Sequence, residues 1–475
     1  MTETIRKSLR DSKSARWGAL AIISITMFAG YFLTDVMSPL KPMIEEQYGW
    51  SSTDYGIFTS AYGWLNVFFG MLIIGGIILD KMGVRFTGVM AAGIMVLGAS
   101  LKYYGVSNPM LSEQTIIGIQ GQLFFASIGF AIFGVGVEIA GITVSKIIVK
   151  WFKGYEMALA MGMQMAVARM GTLLAIAAPV PLAMYFSSKH TVISNGEFIE
   201  KVAPSISAPI AFALVLLAIG FIAFFIYVAM DKKLDASIAN SDEVVKEEQF
   251  RIKDALTILT NKGFWLIALL CVLFYSSVFP FIKYATDLMV NKYGLDQEVA
   301  GLIPSLLPLG TLFLTPLFGG IYDKKGKGAT IMIIGASLII FVHGVFSLPI
   351  LNYWYVAVVL VIILGVALSL VPSAMWPSVP KIIPEHQLGS AFSLIFWIQN
   401  WGLMGVPALI GYVLDKTNPE VALAKAAGTE VPLYDYTYPM LIFTLFGVLA
   451  FIVGNMLKAE DRKKGYGLEL PNIKK

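Results

Sequence analysis

Apolar runs long enough to cross the ~30 Å hydrocarbon core of a bilayer recur along this sequence, and no other feature limits its fold so tightly. They cover approximately 17–38, 55–79, 86–105, 119–145, 157–184 and 206–230, then 264–290, 299–322, 329–348, 354–379, 388–414 and 438–457. With no water to satisfy peptide groups, such segments must be helices, because they lack the alternation of barrel strands. The expected fold is an all-α membrane protein with twelve transmembrane helices. Composition agrees: 57% of the 475 residues are hydrophobic and 14% charged, against about 25% charged in soluble domains. The lipid bilayer is therefore the expected solvent. The basic segment Arg6, Lys7, Arg10, Lys13 and Arg16 precedes a first run too long for a signal-peptide h-region and followed by no small-residue cleavage site, so an uncleaved first helix is expected.

The net charge of +4 does not point to nucleic acid, because the basic residues stand in short clusters between apolar runs. Lys81/Arg85, Lys146/Lys150/Lys153, Lys232/Lys233, Lys324/Lys325/Lys327 and Arg462/Lys463/Lys464 all fall on the side of the N-terminus. The opposite loops carry mainly Glu45, Glu46, Asp54, Glu197, Glu200, Asp296, Glu298, Glu420, Glu430 and Asp435. The positive-inside rule then puts both termini in the cytoplasm. The long polar segment 231–262 separates six helices from six, dividing the chain into bundles 1–230 and 263–475. Within that segment Val244–Leu259 mixes charges with apolar residues at helical spacing, which predicts an interfacial helix.

A motif repeats in the two halves. Gly76-Ile-Ile-Leu-Asp80-Lys81-Met-Gly83-Val-Arg85 joins the second and third helices, and Gly319-Gly-Ile-Tyr-Asp323-Lys324-Lys325-Gly326-Lys327 joins the eighth and ninth. The glycine lets helices approach, while the aspartate caps a helix terminus and pairs with a loop cation. The duplicated motif resembles the cytoplasmic loop of the major facilitator superfamily. That resemblance implies two six-helix bundles around a central cavity exposed alternately to each side. In it, Gly76, Asp80, Arg85, Gly319 and Asp323 belong to the gate; plain packing between helices is an equally compatible reading.

Asp35, Glu138 and Arg169 lie well inside the predicted spans, where a charge costs from ~2.5 to over 10 kcal/mol. The midpoint of 138 and 169 falls between 153 and 154, on the turn Trp151-Phe-Lys153-Gly154. Both side chains should thus share one depth, roughly 20 Å from that turn, at a rise of ~1.5 Å per residue. Asp35 should sit nearer the opposite surface. Two readings stand: an ion pair stapling helix four to helix five, or two cavity charges meeting the opposite ends of a zwitterion. Gly134, Gly136, Ala140 and Gly141 keep the fourth helix slim beside them. Tyr62, Trp64, Asn66, Trp376, Gln399 and Asn400 add aromatic and amide groups; each amide serves either the cavity or a bond between helices. Lys283 is expected to snorkel to the far surface, and His343 and Cys271 to pack.

Several of these stretches resemble a narrower family. Tyr31-Phe-Leu-Thr-Asp35, Tyr62-Gly-Trp64-Leu-Asn66, Gly134-Val-Gly136-Val-Glu138 and Met165-Ala-Val-Ala-Arg169-Met-Gly171 are similar to stretches of the lysosomal dipeptide uniporters. So are Phe279-Pro-Phe-Ile282, Trp376-Pro377, Ile383-Pro-Glu385-His386-Gln387-Leu388-Gly389 and Ile398-Gln399-Asn400. The resemblance runs from about residue 20 to residue 415 and implies dipeptide movement without obligatory proton coupling. It implies that Glu138 meets the amino terminus, Arg169 the carboxylate, with Trp376 lining the cavity and Asp35 a further acidic contact. Lys283 departs from the family, which has small uncharged residues there, and this weakens an expectation of cationic dipeptides.

The expected function is transport of dipeptides or similar zwitterions by uniport. Ion-coupled carriage of organic anions is the alternative, and a non-transporting receptor or scaffold ranks below both. The absence of a Gly-Lys-Ser/Thr phosphate loop and the three scattered histidines argue against a pump, an enzyme, a cofactor or a metal site. No Asn-x-Ser/Thr acceptor occurs, so a bacterial inner membrane is expected rather than a lysosome, with the protein monomeric.

Overall fold

The computed structural model describes residues 9–152, 155–194, 197–238, 257–384 and 387–472. The first half comprises α1 (Lys13–Asp35), α2 (Lys41–Tyr48), α3 (Ser52–Phe68), α4 (Met71–Ser107), α5 (Gly121–Phe152), α6 (Met157–Ala177), α7 (Pro179–Tyr185) and α8 (Ser207–Ile238). The second comprises α9 (Lys262–Tyr293), α10 (Gln297–Ala300), α11 (Leu302–Lys325), α12 (Gly328–Ser347), α13 (Trp354–Ile382), α14 (Leu388–Thr417), α15 (Pro419–Ala427) and α16 (Thr437–Lys464). Two antiparallel hairpins, β1 (Thr115–Ile116) with β2 (Ile119–Gln120) and β3 (Ser188–Ser194) with β4 (Glu197–Ala203), lie in loops between crossings. Nothing in the sequence pointed to these strands.

Among the described residues, eleven helices are long and apolar enough to cross a membrane. The expected span 55–79 is the exception. It breaks after α3 at Gly70, a left-handed residue with φ 59°, and continues as the start of α4. That helix then kinks at Gly83 (φ 75°, ψ 171°), a conformation only glycine adopts readily, and the third crossing begins. The twelve expected crossings are thus all present. Helix α8 runs on to Ile238, so residues 231–238, expected in the linker, are helical. The interfacial helix expected at 244–259 falls mostly on 239–256, outside the described residues.

Local capping explains several helix starts. Ser51 and Asp54 form a capping box at α3, and Asn261 accepts from Gly263 N (2.8 Å) and Phe264 N (3.3 Å) at α9. In the first half α1 packs on α6 and α8, and α4 on α5; in the second, α12 packs on α16, and α11 on α13. Glycines bring α4 and α5 together: a Cβ on Gly129 would lie 2.3 Å from Lys102 N. The halves meet through α3 against α14 and α6 against α11.

The two ends of the molecule differ. At the end carrying the basic clusters, described ion pairs stay within a half: Arg16–Glu156, Arg85–Asp235, Lys146–Asp80, Lys262–Glu460. At the far end, ion pairs join the halves: Asp35–Lys283, Lys41–Asp287 (2.7 Å) and Glu45–Lys425 (2.8 Å). Here α3 and α14 touch so closely that a Cβ on Gly411 would stand 2.1 Å from Ser52 O.

Candidate functional site

Between the halves lies a cavity of about 500 Å³, within the range that accommodates small molecules. Its wall is drawn from α1, α3, α4, α5 and α6 on one side and α9 and α14 on the other. Four charged residues line it: Asp35, Glu138, Arg169 and Lys283.

Glu138 projects from α5, and its Oε1 accepts a hydrogen bond from Tyr62 Oη at 2.9 Å. Arg169 projects from α6, its Cζ 5.9 Å from the Tyr31 ring centroid and 5.5 Å from that of Phe279. Among the described residues no ion pair joins Glu138 to Arg169. The staple reading of the two charges therefore has no contact behind it. Each charge faces the same space with capacity to bind something else. A guanidinium held over aromatic faces keeps its donors free for a bidentate anion partner.

Of the other expected residues, Asp35 and Tyr62 line the cavity, as does Gln399, whose Oε1 is 3.6 Å from Cys271 Sγ. Trp376 stands behind the wall: it packs on Phe392 and Phe396, which do line it, and donates to Tyr275 Oη at 3.2 Å. Trp64 is tied to Ser60 Oγ at 3.0 Å and is not part of the wall. Asn66 is buried in its helix outside the wall; Asn400 is buried too, its Nδ2 donating to Phe396 O at 3.0 Å, and its side chain reaches Glu138 across the two halves. Amides carry no signal for which face of a helix they occupy, and that is why sequence reasoning left them open.

Lys283 corrects an expectation. It does not snorkel to the surface; it donates to Asp35 Oδ1 at 2.5 Å and Thr34 O at 2.7 Å inside the cavity wall. A surface lysine would have kept its head in water, but packing of α9 beside the segment Ser38–Leu40 that follows α1 gives it a buried carboxylate instead. Tyr31 was missed as well. It lies within electrostatic reach of Arg169, Glu138 and Asp35, and its position four residues before Asp35, on one helix face, was the available clue. Sequence reading also passed over Lys102, 0% exposed in α4, with its Nζ 4.3 Å from the Phe130 ring centroid. His343 is packed in the second half, its Nε2 3.0 Å from Ser277 O.

The repeated motif is asymmetric in its partners. Asp80 pairs with Lys146 at 3.1 Å, while Arg85 pairs with Asp235 at 2.6 Å and Asp231 at 3.4 Å. Asp323 instead accepts from Asn472 Nδ2 at 2.8 Å. Space is open around Gly76 and Gly319, so these glycines do not mediate a close approach as expected. Neighbouring Gly75 does: a Cβ there would meet Ile139 at 2.5 Å.

Comparison with known proteins places this geometry in context. The family model described as Major Facilitator Superfamily matches residues 21–407. The human protein named lysosomal dipeptide transporter MFSD1 is 25% identical over 406 residues, covering 83% of this chain and 79% of that protein. Its mouse counterpart is 26% identical over 407 residues, covering 83% and 80%. In fold, the chain matches a bacterial homologue of the human lysosomal transporter Spinster with a TM-score of 0.66 at 12% identity, covering 95% and 98% of the two chains. A D-xylose–proton symporter matches with a TM-score of 0.64 at 14% identity, covering 92% and 97%.

Proposed function

The chain belongs to the Major Facilitator Superfamily, a membrane transporter of small molecules, and from that premise we propose that it carries dipeptides or closely similar zwitterions. One observation carries the reading: Glu138 and Arg169 face one cavity without neutralising each other. A solute with an ammonium at one end and a carboxylate at the other satisfies both charges. A simple organic anion would leave Glu138 without a cation. Likeness to MFSD1, named as a dipeptide transporter, supports the same solute class.

Transport proceeds by alternating access, with the far end closed in this conformation by ion pairs between the halves. The basic end faces the cytoplasm, as do both termini, in a cell membrane. Movement is uniport: no ion gradient is needed.

The test is uptake of a labelled dipeptide into proteoliposomes. Arg169→Ala and Glu138→Ala should each abolish uptake while the purified variants keep the melting temperature of the parent; normal uptake by both sinks the proposal. Imposing a pH gradient and a membrane potential separately tests the mode. Equilibration without accumulation supports uniport, and accumulation against the solute gradient overturns it.

A further inference from the structure

Charge bookkeeping in the cavity leaves one pair unused by a zwitterion's two ends. The wall holds two acids and two bases, Asp35, Glu138, Arg169 and Lys283. Glu138 and Arg169 are available to a solute; Asp35 and Lys283 are taken up by each other, Nζ to Oδ1 at 2.5 Å, with their side chains 9% and 12% exposed. The pair spans the halves, from the last residue of α1 to α9. A second lysine, paired with no carboxylate among the described residues, stands behind it. Lys102 Nζ is 5.1 Å from the Phe58 ring centroid and 4.3 Å from that of Phe130, and Lys283 Nζ is 6.0 Å from the same Phe130 ring.

We propose that Lys283 is a specificity-determining residue that limits the site to solutes without net charge, by occupying the one carboxylate that a cationic side chain could use. The inference rests on the zwitterion reading of Glu138 and Arg169. A lysyl or arginyl side chain entering the cavity can reach Asp35 only by displacing Lys283, which leaves a cation stranded beside Lys102. An acidic side chain can recruit Lys283 only by stripping Asp35 of its partner. Either exchange breaks a buried pair for no net gain. An uncharged side chain disturbs neither.

Proteoliposome uptake of alanyl-alanine and lysyl-alanine, each labelled, tests this. The parent protein should favour alanyl-alanine roughly tenfold or more, the scale of leaving one buried charge unpaired. Lys283→Met should raise lysyl-alanine uptake relative to alanyl-alanine by about the same factor, because Asp35 is then free to hold the added ammonium. Adding Asp35→Asn to that variant should remove the gain, and Lys283→Arg should keep the parent's preference. An unchanged ratio in Lys283→Met, or a gain that survives Asp35→Asn, overturns the proposal. Should Lys283→Met not fold, thermal shifts of the parent protein decide: equal stabilisation by the two dipeptides overturns it, and stabilisation by alanyl-alanine alone supports it. Parent protein that responds to neither dipeptide overturns the zwitterion reading along with this one, whereas equal response to both overturns this one only.

Discussion

At the scale of single residues, the site depends on charges whose partners come from other helices. The hydrogen bond from Tyr62 fixes Glu138 Oε1 at the wall. A hydrogen bond to a charged group contributes about 1.5–3 kcal/mol. Tyr62→Phe should therefore raise the KM for dipeptide uptake roughly tenfold without loss of folding; an unchanged KM would show that Glu138 is held by other means. Lys41 also takes its partners from both halves, outside the cavity wall. It is 0% exposed and bonds Glu45 Oε1 at 2.6 Å and Asp287 Oδ2 at 2.7 Å, while Tyr436 Oη donates to the same Asp287 oxygen. Removing one partner of a buried pair costs about 3–5 kcal/mol, so Lys41→Met should lower the melting temperature in detergent. Replacing Asp287 by Leu in the same chain should recover most of the loss, and failure to recover would argue against the pair as the cause. Glu138 and Arg169 were legible in the sequence because a charge deep in an apolar run is costly wherever the run docks. Lys41, Lys102 and Lys283 were not, because a lysine near the end of a run has water within reach until tertiary packing removes it.

Elements show the same division. The starts of α3 and α9 are written locally, in Ser51/Asp54 and Asn261. The start of α12 has no side-chain cap of its own residues; Glu469 supplies it from the C-terminal segment, accepting from Thr330 N at 2.9 Å and Thr330 Oγ1 at 2.8 Å. That segment is bound along its length. Leu468 is 0% exposed, Lys381 Nζ donates to Gly467 O and Leu470 O, and Asn472 holds Asp323. A Cβ on Gly326, whose φ is 68°, would lie 2.4 Å from the Leu470 carbonyl carbon. The second copy of the repeated motif is thus latched by the tail, whereas the first is latched by Lys146 and the end of α8. Deleting residues 466–475 should lower the melting temperature and increase hydrogen exchange at the start of α12. Equal exchange in the parent and the truncated protein would show that the tail contributes nothing there. The break at Gly70 escaped the sequence reading because apolar composition is continuous across it; the helix ends for a backbone reason, not a solvation one.

For the whole molecule, the far end is where the halves lock. Asp415 of α14 accepts Ser52 N at 3.1 Å and Thr53 N at 2.6 Å, placing a carboxylate from one half on the first turn of α3 in the other. Glu45 adds bonds from Lys425 Nζ and Tyr434 Oη, and burial pushes the Tyr434 phenol up, so it remains a donor. Removing Asp415 weakens one state of a two-state equilibrium, so Asp415→Ala should shift molecules toward opening at the far end. A Thr59→Cys reporter in a Cys271→Ala background should then react faster with an impermeant maleimide added outside; an unaltered rate would show that Asp415 does not bear on the gate. By itself the sequence determined the membrane as solvent and the twelve crossings. Each follows from solvation and helical rise, properties a segment carries alone. Only the tertiary structure decided which charges remain free. Asp35 and Lys283 stand 248 residues apart, and nothing local to either marks the other as its partner. Their pairing exists only where the two bundles meet.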